Sequence, residues 1–365
     1  MNGKTRIVMI GGFLGSGKTT LMKKAAELLT AEGVKVGMIT NDQATALVDT
    51  GFLSQSLGLI TEEVSGSCFC CNFPGLEGAI DRIAPQIDAG IILAEPVGSC
   101  TDLSATIVQT LKDRMKDRLV VSPMSVLADP VKLEDILNGG NAGLHLSSAY
   151  IVKKQFEEAD YILINKIDTI TAEKAQELKE RATAQFPMAK VMLISGQEGT
   201  GVAQWLNEVT KSETAGTHLI DVDYDTYAEG EAVLGWLNTT VKLNGTGIDW
   251  QAFAESLLRS TAAVCAEINA PIGHVKLMVK GNGKLIVGNL TGGIETLSIR
   301  GDDFIADEVE LTFNARAQMP PEVLETKTRE LIKEACSDNV TFEILVIESL
   351  MPGRPNPTYR YNEIV

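Results

Sequence analysis

The sequence predicts an α/β chain in two parts: a mainly parallel sheet interleaved with helices, followed by a smaller α+β domain. Three observations predict it. Short apolar runs alternate with amphipathic helical patterns over about the first 215 residues, the signature of parallel strands joined by crossover helices. The first such run leads into a glycine-rich turn and then a helical pattern. After a segment poor in large apolar residues, the pattern changes to strands grouped with two long helices. A chain of 365 residues has length enough for two cores. The expected boundaries are 1–215 for the first domain, 216–229 for a linker opened by the Ser212–Gly216 turn, and 230–365 for the second domain.

In the first domain the strand candidates are 6–11, 35–40, 90–94, 119–127, 160–165 and 190–194, with helices Thr20–Glu32 and Thr171–Gln185 between them. In the second, Ala232–Leu243 reads as a strand and Trp250–Asn269 as a helix. Gly273–Val279 and Lys284–Asn289 read as strands joined by Lys280-Gly281-Asn282-Gly283. Strand Glu308–Ala315, helix Pro321–Cys336, strand Thr341–Ser349 and an extended Pro-rich segment from Met351 complete it.

Hydrophobic residues make up 44% and charged residues 22%, ordinary values for a globular protein. The net charge of −16 argues against a nucleic-acid partner and against an anionic membrane surface. No apolar run approaches the ~18 residues of a membrane span, and the first residues lack a signal-peptide core, so a cytoplasmic location is expected. In a reducing compartment the six cysteines are not a disulfide framework.

Gly12-Phe13-Leu14-Gly15-Ser16-Gly17-Lys18-Thr19 fits the phosphate-loop pattern G-x-x-x-x-G-K-[ST] in full, after a strand and at the start of a helix. Gly12, Gly15 and Gly17 let backbone N–H groups turn inward around phosphates, with Ser16 among them. The helix N-terminus adds its positive end, carrying Lys18, Thr19 and Thr20. Lys18 is expected to reach the β- and γ-phosphates, and the Thr19 hydroxyl to hold Mg²⁺. A P-loop NTPase domain is therefore expected.

Tyr161-Ile162-Leu163-Ile164 ends in Asn165-Lys166-Ile167-Asp168, the N-K-x-D pattern of guanine recognition. The Asp168 carboxylate can accept from N1–H and N2–H₂ of guanine, and adenine lacks that donor pair. Asn165 is expected to hold the loop, the Lys166 stem to lie along the base, and Ser195 to open a second base-contacting loop. The bland alternative is a polar strand-to-helix turn with Asp as a cap.

Cys68-Phe69-Cys70-Cys71 lies in a Gly/Ser/Pro-rich stretch, so a loop is expected. Thiolates are soft ligands, and three of them leave a tetrahedral site one short. Such an incomplete site suits a carrier of Zn²⁺ first, or of Co²⁺ or Ni²⁺. Cys100 is a candidate fourth ligand, and the competing reading makes it a small buried apolar residue. Glu95 ends an apolar strand, where an acid orients Mg²⁺ or its water. Asp42 and Asp49 are further candidates for the metal shell or for sensing the γ-phosphate.

The P-loop, the C-x-C-C loop, Glu95-x-x-Gly98 and Asn165-Lys166-Ile167-Asp168 occur in this order over about residues 5–210. In this the chain resembles the CobW-like GTPases, relatives of UreG and HypB, and Thr40-Asn41-Asp42 is similar to a UreG stretch. The resemblance implies a P-loop domain with a smaller α+β domain. It also implies GTP hydrolysis with Mg²⁺, coupled to handing a transition metal or corrinoid-related cofactor to a client metalloprotein or corrinoid protein, with a nucleotide-dependent homodimer as a further expectation. Lys18, Glu95 and Asp42 would then be the catalytic set. The chain departs from the CobW pattern in reading Asn41-Asp42-Gln43-Ala44 where N-E-F-G is usual, in Pro96-Val97 before Gly98, and in lacking a His-rich stretch. A regulatory GTPase without metal cargo and a P-loop small-molecule kinase are the alternatives. The three cysteines argue against the first, and N-K-x-D argues against the second.

Overall fold

The computed structural model describes residues 3–41, 59–301, 303–336 and 339–365. Asp42 and Asp49 lie outside the described residues. By contacts the chain forms two compact units. The first runs to Gly230 and includes Arg354–Val365; the second holds Glu231–Gly353.

The first unit opens with β1 (Thr5–Gly12), apolar on both faces and buried at every position but Arg6. Helix α1 (Lys18–Ala31) follows the glycine turn, then β2 (Val36–Asn41), β3 (Ile60–Val64), α2 (Phe73–Ile87) and β4 (Ile91–Glu95). Helix α3 starts with a π-helical stretch, Ser104–Val108, and continues as α-helix through Gln109–Arg114. Next come β5 (Leu119–Val121), β6 (Ser125–Ala128), α4 (Pro130–Leu137), α5 (Leu146–Glu157), β7 (Tyr161–Ile164), α6 (Ala172–Gln185), β8 (Lys190–Leu193), α7 (Val202–Lys211) and α8 (Tyr224–Ala232). The strands run parallel in the order β3-β2-β4-β1-β6-β7-β8, with β5 also on β1. Burial on both faces explains the near-continuous Val/Ile/Leu runs. One face packs Val8, Ile10 and Leu93 against Leu21, Met22 and Ala25 of α1 and Trp205 and Val209 of α7. The predicted single strand 119–127 is two, because the chain turns through Ser122–Met124 between pairings on β1.

The segment read as a linker is laced to this unit. Asp160 is almost fully buried, and its Oδ2 accepts from Gly216 N–H (2.8 Å) and Met124 N–H (2.8 Å). Gln109 Nε2 donates to Gly216 O at 2.8 Å, Ser104 Oγ to His218 O at 2.9 Å and Tyr150 OH accepts from Asp223 N–H at 2.7 Å. Helix α8 then begins inside the predicted linker, so its polar composition marks a hydrogen-bonded strap rather than a free connection.

The second unit is a six-stranded antiparallel sheet: β9 (Gly235–Asn244), β10 (Ile272–Gly281), β11 (Lys284–Leu290), β12 (Ser298–Gly301), β13 (Glu308–Ala317) and β14 (Thr341–Leu350), in the order β12-β11-β10-β13-β9-β14. Helices α9 (Trp250–Glu267) and α10 (Pro321–Ala335) cover one face, packing Trp250, Leu258, Leu331 and Ile332 on Leu237, Val241, Leu277 and Phe313. The hairpin between β10 and β11 turns on Asn282 and Gly283, both left-handed with φ 50° and 74°, as a tight two-residue turn requires. The α/β-then-α+β class is as the sequence predicts; β12 was not anticipated.

In Asp160→Ala two buried N–H groups lose their acceptor, at about 1–3 kcal/mol each. We predict that limited proteolysis of this variant cuts within 212–223 while the wild type resists there. Equal cutting of both proteins would count against the strap.

Candidate functional site

The site lies at the carboxyl ends of the parallel strands, where β1, β2, β4, β7 and β8 each deliver a loop. The phosphate loop needs its glycines for stated reasons. Gly12, Gly15 and Gly17 have φ of 128°, 78° and 95°. A Cβ on Gly12 would stand 2.6 Å from Leu127 O, and one on Gly17 would strike the Asn165 amide. Lys18 Nζ donates to Gly12 O at 2.9 Å, so the side chain folds back over its own loop. It lies 3.7 Å from Glu95 Oε1, and Thr19 Oγ1 donates to Glu95 Oε2 at 3.1 Å. A Cβ on Gly98 would come within 3.0 Å of Lys18 Nζ, which accounts for a glycine three residues beyond Glu95.

The residues fit a bound polyphosphate. The Ser16 hydroxyl is buried in the loop with no hydrogen-bond partner among the described residues, an orphan that a phosphate oxygen would satisfy. Thr19 and Glu95 converge as hard oxygen donors, the set that suits Mg²⁺. Thr20 sits beside them in the first turn of α1.

Asn165 ties two loops together. Its Nδ2 donates to Ser16 O at 2.8 Å and its Oδ1 accepts from Gly196 N–H at 2.8 Å. Ser195 is fully buried, and its Oγ accepts from Glu198 N–H at 3.0 Å, so it shapes the loop rather than exposing its hydroxyl. Lys166 is left-handed with φ 60°, and its ammonium bonds Asp129 Oδ2 at 2.8 Å. Burial pushes Asp129 up, but Lys166 and then Lys132 outweigh it, leaving its carboxyl below the usual range. Lys132 donates to Leu14 O at 3.1 Å. Burial, reinforced by Lys166 and Lys18 and opposed by Asp129, brings its ammonium down to about 8. Asp168 is exposed in the short turn Ile167–Thr169, open to a base edge. Asp129 and Lys132 carry no motif that sequence reading finds; an Asp-Pro helix start was the one local signal.

The thiols form one cluster. The sulfurs of Cys68, Cys70 and Cys71 all lie within 4.8 Å of one another, with Cys68–Cys70 at 3.0 Å and Cys70–Cys71 at 3.7 Å. The buried Cys100 thiol stands close enough to interact with Cys68 and Cys70. Interaction with Cys100, Cys70 and Cys71 holds Cys68 well below the usual thiol range. Cys100, Cys68 and Cys71, with burial, push Cys70 well up, and Cys68, with burial, pushes Cys71 up to about 11. The three sulfurs of Cys68, Cys70 and Cys71 are a donor set for a thiophilic ion, with Cys100 beside them on a second loop.

Asn41, at the end of β2, holds the cysteine loop from three sides. It donates to Val64 O (2.7 Å) and Ser67 O (2.8 Å) and accepts from Phe69 N–H (2.7 Å). Asn72 caps α2 through Gly75 N–H at 3.0 Å. The Cys100 loop is held by Gln155, whose Nε2 donates to Gly98 O (2.9 Å) and Cys100 O (2.7 Å). Beneath it Glu158 accepts from Thr101 Oγ1 and Ser104 N–H, and burial pushes its carboxyl up to about 8. Gln155 and Glu158 sit at ordinary-looking positions at the end of a helix and gave no sequence signal.

Fold and phosphate loop together define a P-loop nucleotide-binding protein. The model of the family described as CobW/HypB/UreG, nucleotide-binding domain, matches residues 6–216, more than half of the chain, and the chain belongs to that family. It is 25% identical over 227 residues to the "Zinc chaperone CobW" of Pseudomonas aeruginosa, covering 54% of this chain and 57% of that protein. It is 28% identical over 192 residues to the "Zinc chaperone YjiA" of Escherichia coli, covering 51% and 57%. The match therefore spans a little over half the length of these relatives. Among solved structures, the hydrogenase maturation factor HypB from Archaeoglobus fulgidus overlays with a TM-score of 0.42 at 20% identity, covering 58% of this chain and 92% of that one. No described helix is long and apolar enough to cross a membrane.

Replacing Asn165 with Ala removes both ties between the phosphate loop and the Ser195 loop. We predict a 10- to 100-fold loss of guanine-nucleotide affinity, on the scale of one or two buried hydrogen bonds at about 1–1.5 kcal/mol each. Fluorescent-GDP titration measures it, and an unchanged dissociation constant would remove Asn165 from the site.

Proposed function

We propose that this chain binds and hydrolyses GTP and uses the nucleotide to control a transition-metal cargo, zinc before cobalt or nickel, handed to a client metalloprotein or corrinoid protein. The observation that carries the reading is the path from Glu95 to Cys100. Its first residue meets Lys18 and Thr19, and its last joins the Cys68 and Cys70 thiols.

In this reading Lys18 meets the negative charge that gathers on the β- and γ-phosphates in the transition state, and backbone N–H groups of Gly15–Thr19 cradle the rest. Thr19 and Glu95 would hold Mg²⁺, which neutralises phosphate oxygens when bound. Glu95 and Thr19 would exchange their mutual bond for Mg²⁺, and Lys18 its place beside Glu95 for phosphate. Gln155, bonded to Gly98 O and Cys100 O, would link a change at the Glu95–Gly98 segment to the Cys100 backbone. The zinc-chaperone names of the relatives support zinc as the cargo. Asp168 would select guanine by accepting its two edge donors.

Two expected outcomes test this. Asp168→Asn should weaken GTP by about 100-fold or more, as two hydrogen bonds to a charged acceptor are lost, and spare xanthosine triphosphate. Equal wild-type affinity for ATP and GTP contradicts the guanine reading. Zinc titration of wild type and Cys100→Ser, each with GDP and with a non-hydrolysable GTP analogue, tests the coupling. The wild type should differ between the two nucleotides and the variant should not. By linkage, the nucleotide should respond to zinc by the same factor. A wild type indifferent to nucleotide would overturn the coupling.

A further inference from the structure

Residues Arg354–Val365 follow the second unit in sequence but pack within the first. They run across both loops that carry the thiols. On the Cys68–Cys71 side, Thr358 N–H donates to Cys70 O at 2.8 Å and its hydroxyl to Cys71 O at 3.0 Å. Asn356 N–H points at the Cys71 sulfur itself, 3.2 Å away. On the Cys100 side, Arg360 Nε donates to Asp102 Oδ2 at 2.7 Å and Tyr361 N–H to Ala105 O at 3.0 Å. Asp102 is 1% exposed and stands two residues beyond Cys100. The Tyr359 ring packs edge-on to Phe73, the residue that opens α2, at 5.6 Å.

We propose that the segment Asn356–Tyr361 is part of the metal site: a clasp that holds the two cysteine loops in one register, donates a backbone hydrogen bond to the Cys71 sulfur, and sets how tightly and how long a thiolate-bound metal ion is held. The proposal rests on the cargo reading above. The physical grounds are independent of it. An N–H directed at a sulfur pairs with the negative charge that a metal-bound thiolate carries, so the donor supports the ligand and raises affinity for the ion. Outer partners of metal ligands are worth about 10- to 100-fold in affinity. A site built from two loops also needs something to fix their separation. The clasp contacts one loop through Thr358 and the other through Arg360 and Tyr361, within a few residues of chain. It covers Cys71, the most accessible thiol of the three in the C-x-C-C loop, so the ion leaves when the clasp lifts.

The test uses the full chain with zinc alone as the probe. Asn356→Pro deletes the N–H together with the carboxamide, and Asn356→Ala, which keeps the N–H, is its control; the residue already stands between Pro355 and Pro357, so an extended backbone there tolerates proline. Thr358→Val keeps the shape and removes the hydroxyl donor. Zinc affinity by chelator competition and the zinc release rate are measured on wild type and each variant. Backbone amide exchange at Thr358 and Tyr361 is followed with and without zinc. We expect Asn356→Pro to weaken zinc about tenfold and to speed release in proportion, with a smaller change for Thr358→Val. Zinc should slow exchange at both wild-type amides, because a clasp that tightens the metal is tightened by it. Affinity and release within twofold of wild type in both variants, with exchange indifferent to zinc, would overturn the clasp and leave the cargo reading standing. A wild type that takes up no zinc would overturn both.

Discussion

The constraint on which the site depends is the shortness of the peptide from Glu95 to Cys100. Five residues of extended chain span at most about 17 Å. At one end the carboxylate lies 3.7 Å from Lys18, and at the other the thiol stands beside Cys68 and Cys70. The phosphate loop and the thiol cluster are joined along this path by a short turn, closed by Cys100 N–H on Val97 O at 3.0 Å. Gln155 braces the turn by bonding the carbonyls of Gly98 and Cys100 with one amide nitrogen.

Sheet topology explains why this path exists. β1 lies between β4 and β6, so the phosphate loop is flanked by β4 and β2 on one side and β6, β7 and β8 on the other. The β7 and β8 loops meet at Asn165 and Gly196, where the proposed function puts the base. The β2 and β4 loops serve the cysteines: Asn41 ends β2 and grips the cysteine loop, and Glu95 ends β4 and begins the path to Cys100. The N-K-x-D loop and the thiol cluster thus occupy opposite flanks of one carboxyl edge, with the phosphate loop between them.

What was legible in the sequence was what local chemistry demands. Gly12, Gly17 and Lys18 are fixed by backbone approach and phosphate charge within one turn, and Asn165–Asp168 by a strand end. Cysteine spacing marked a loop. The parallel strands were legible as apolar runs; β3 was not, because Ile60-Thr61-Glu62-Glu63-Val64 is half-buried and charged. Helix α2 was hidden by Gly75, Gly78 and Pro85, which disguise its period. Asp160, Gln155 and Glu158 were invisible because each acts on backbone groups far away in sequence, and no period or spacing encodes that. The clasp was read only as an extended Pro-rich segment. Its docking uses main-chain N–H groups and isolated side chains, which leave no pattern. The acid expected after β2, Asp42, lies outside the described residues.

Asp102 indicates how firmly Cys100 is placed. It is left-handed with φ 63°, a conformation that costs a non-glycine residue on the order of 1 kcal/mol or more. It is also a buried carboxyl whose Oδ1 has no partner among the described residues, and burial pushes it up even with Tyr224 and Arg360 bonded to Oδ2. Such a residue persists only where its surroundings over-determine it. Here they do, since Glu158 holds Thr101 and Ser104 on either side, and Thr106 Oγ1 donates to Asp102 O at 2.7 Å. The left-handed turn at Asp102 leads the chain from the Cys100 loop into the π-helical start of α3. Gln155 ties the Cys100 carbonyl to that of Gly98, and Cys100 N–H bonds Val97 O at 3.0 Å. Cys68, Cys70 and Cys71 are fixed from the other side by Asn41 and Thr358. A site positioned from two sides loses little freedom when it takes an ion, and small shifts of either side change its affinity steeply. That steepness is what coupling a nucleotide to a cargo requires.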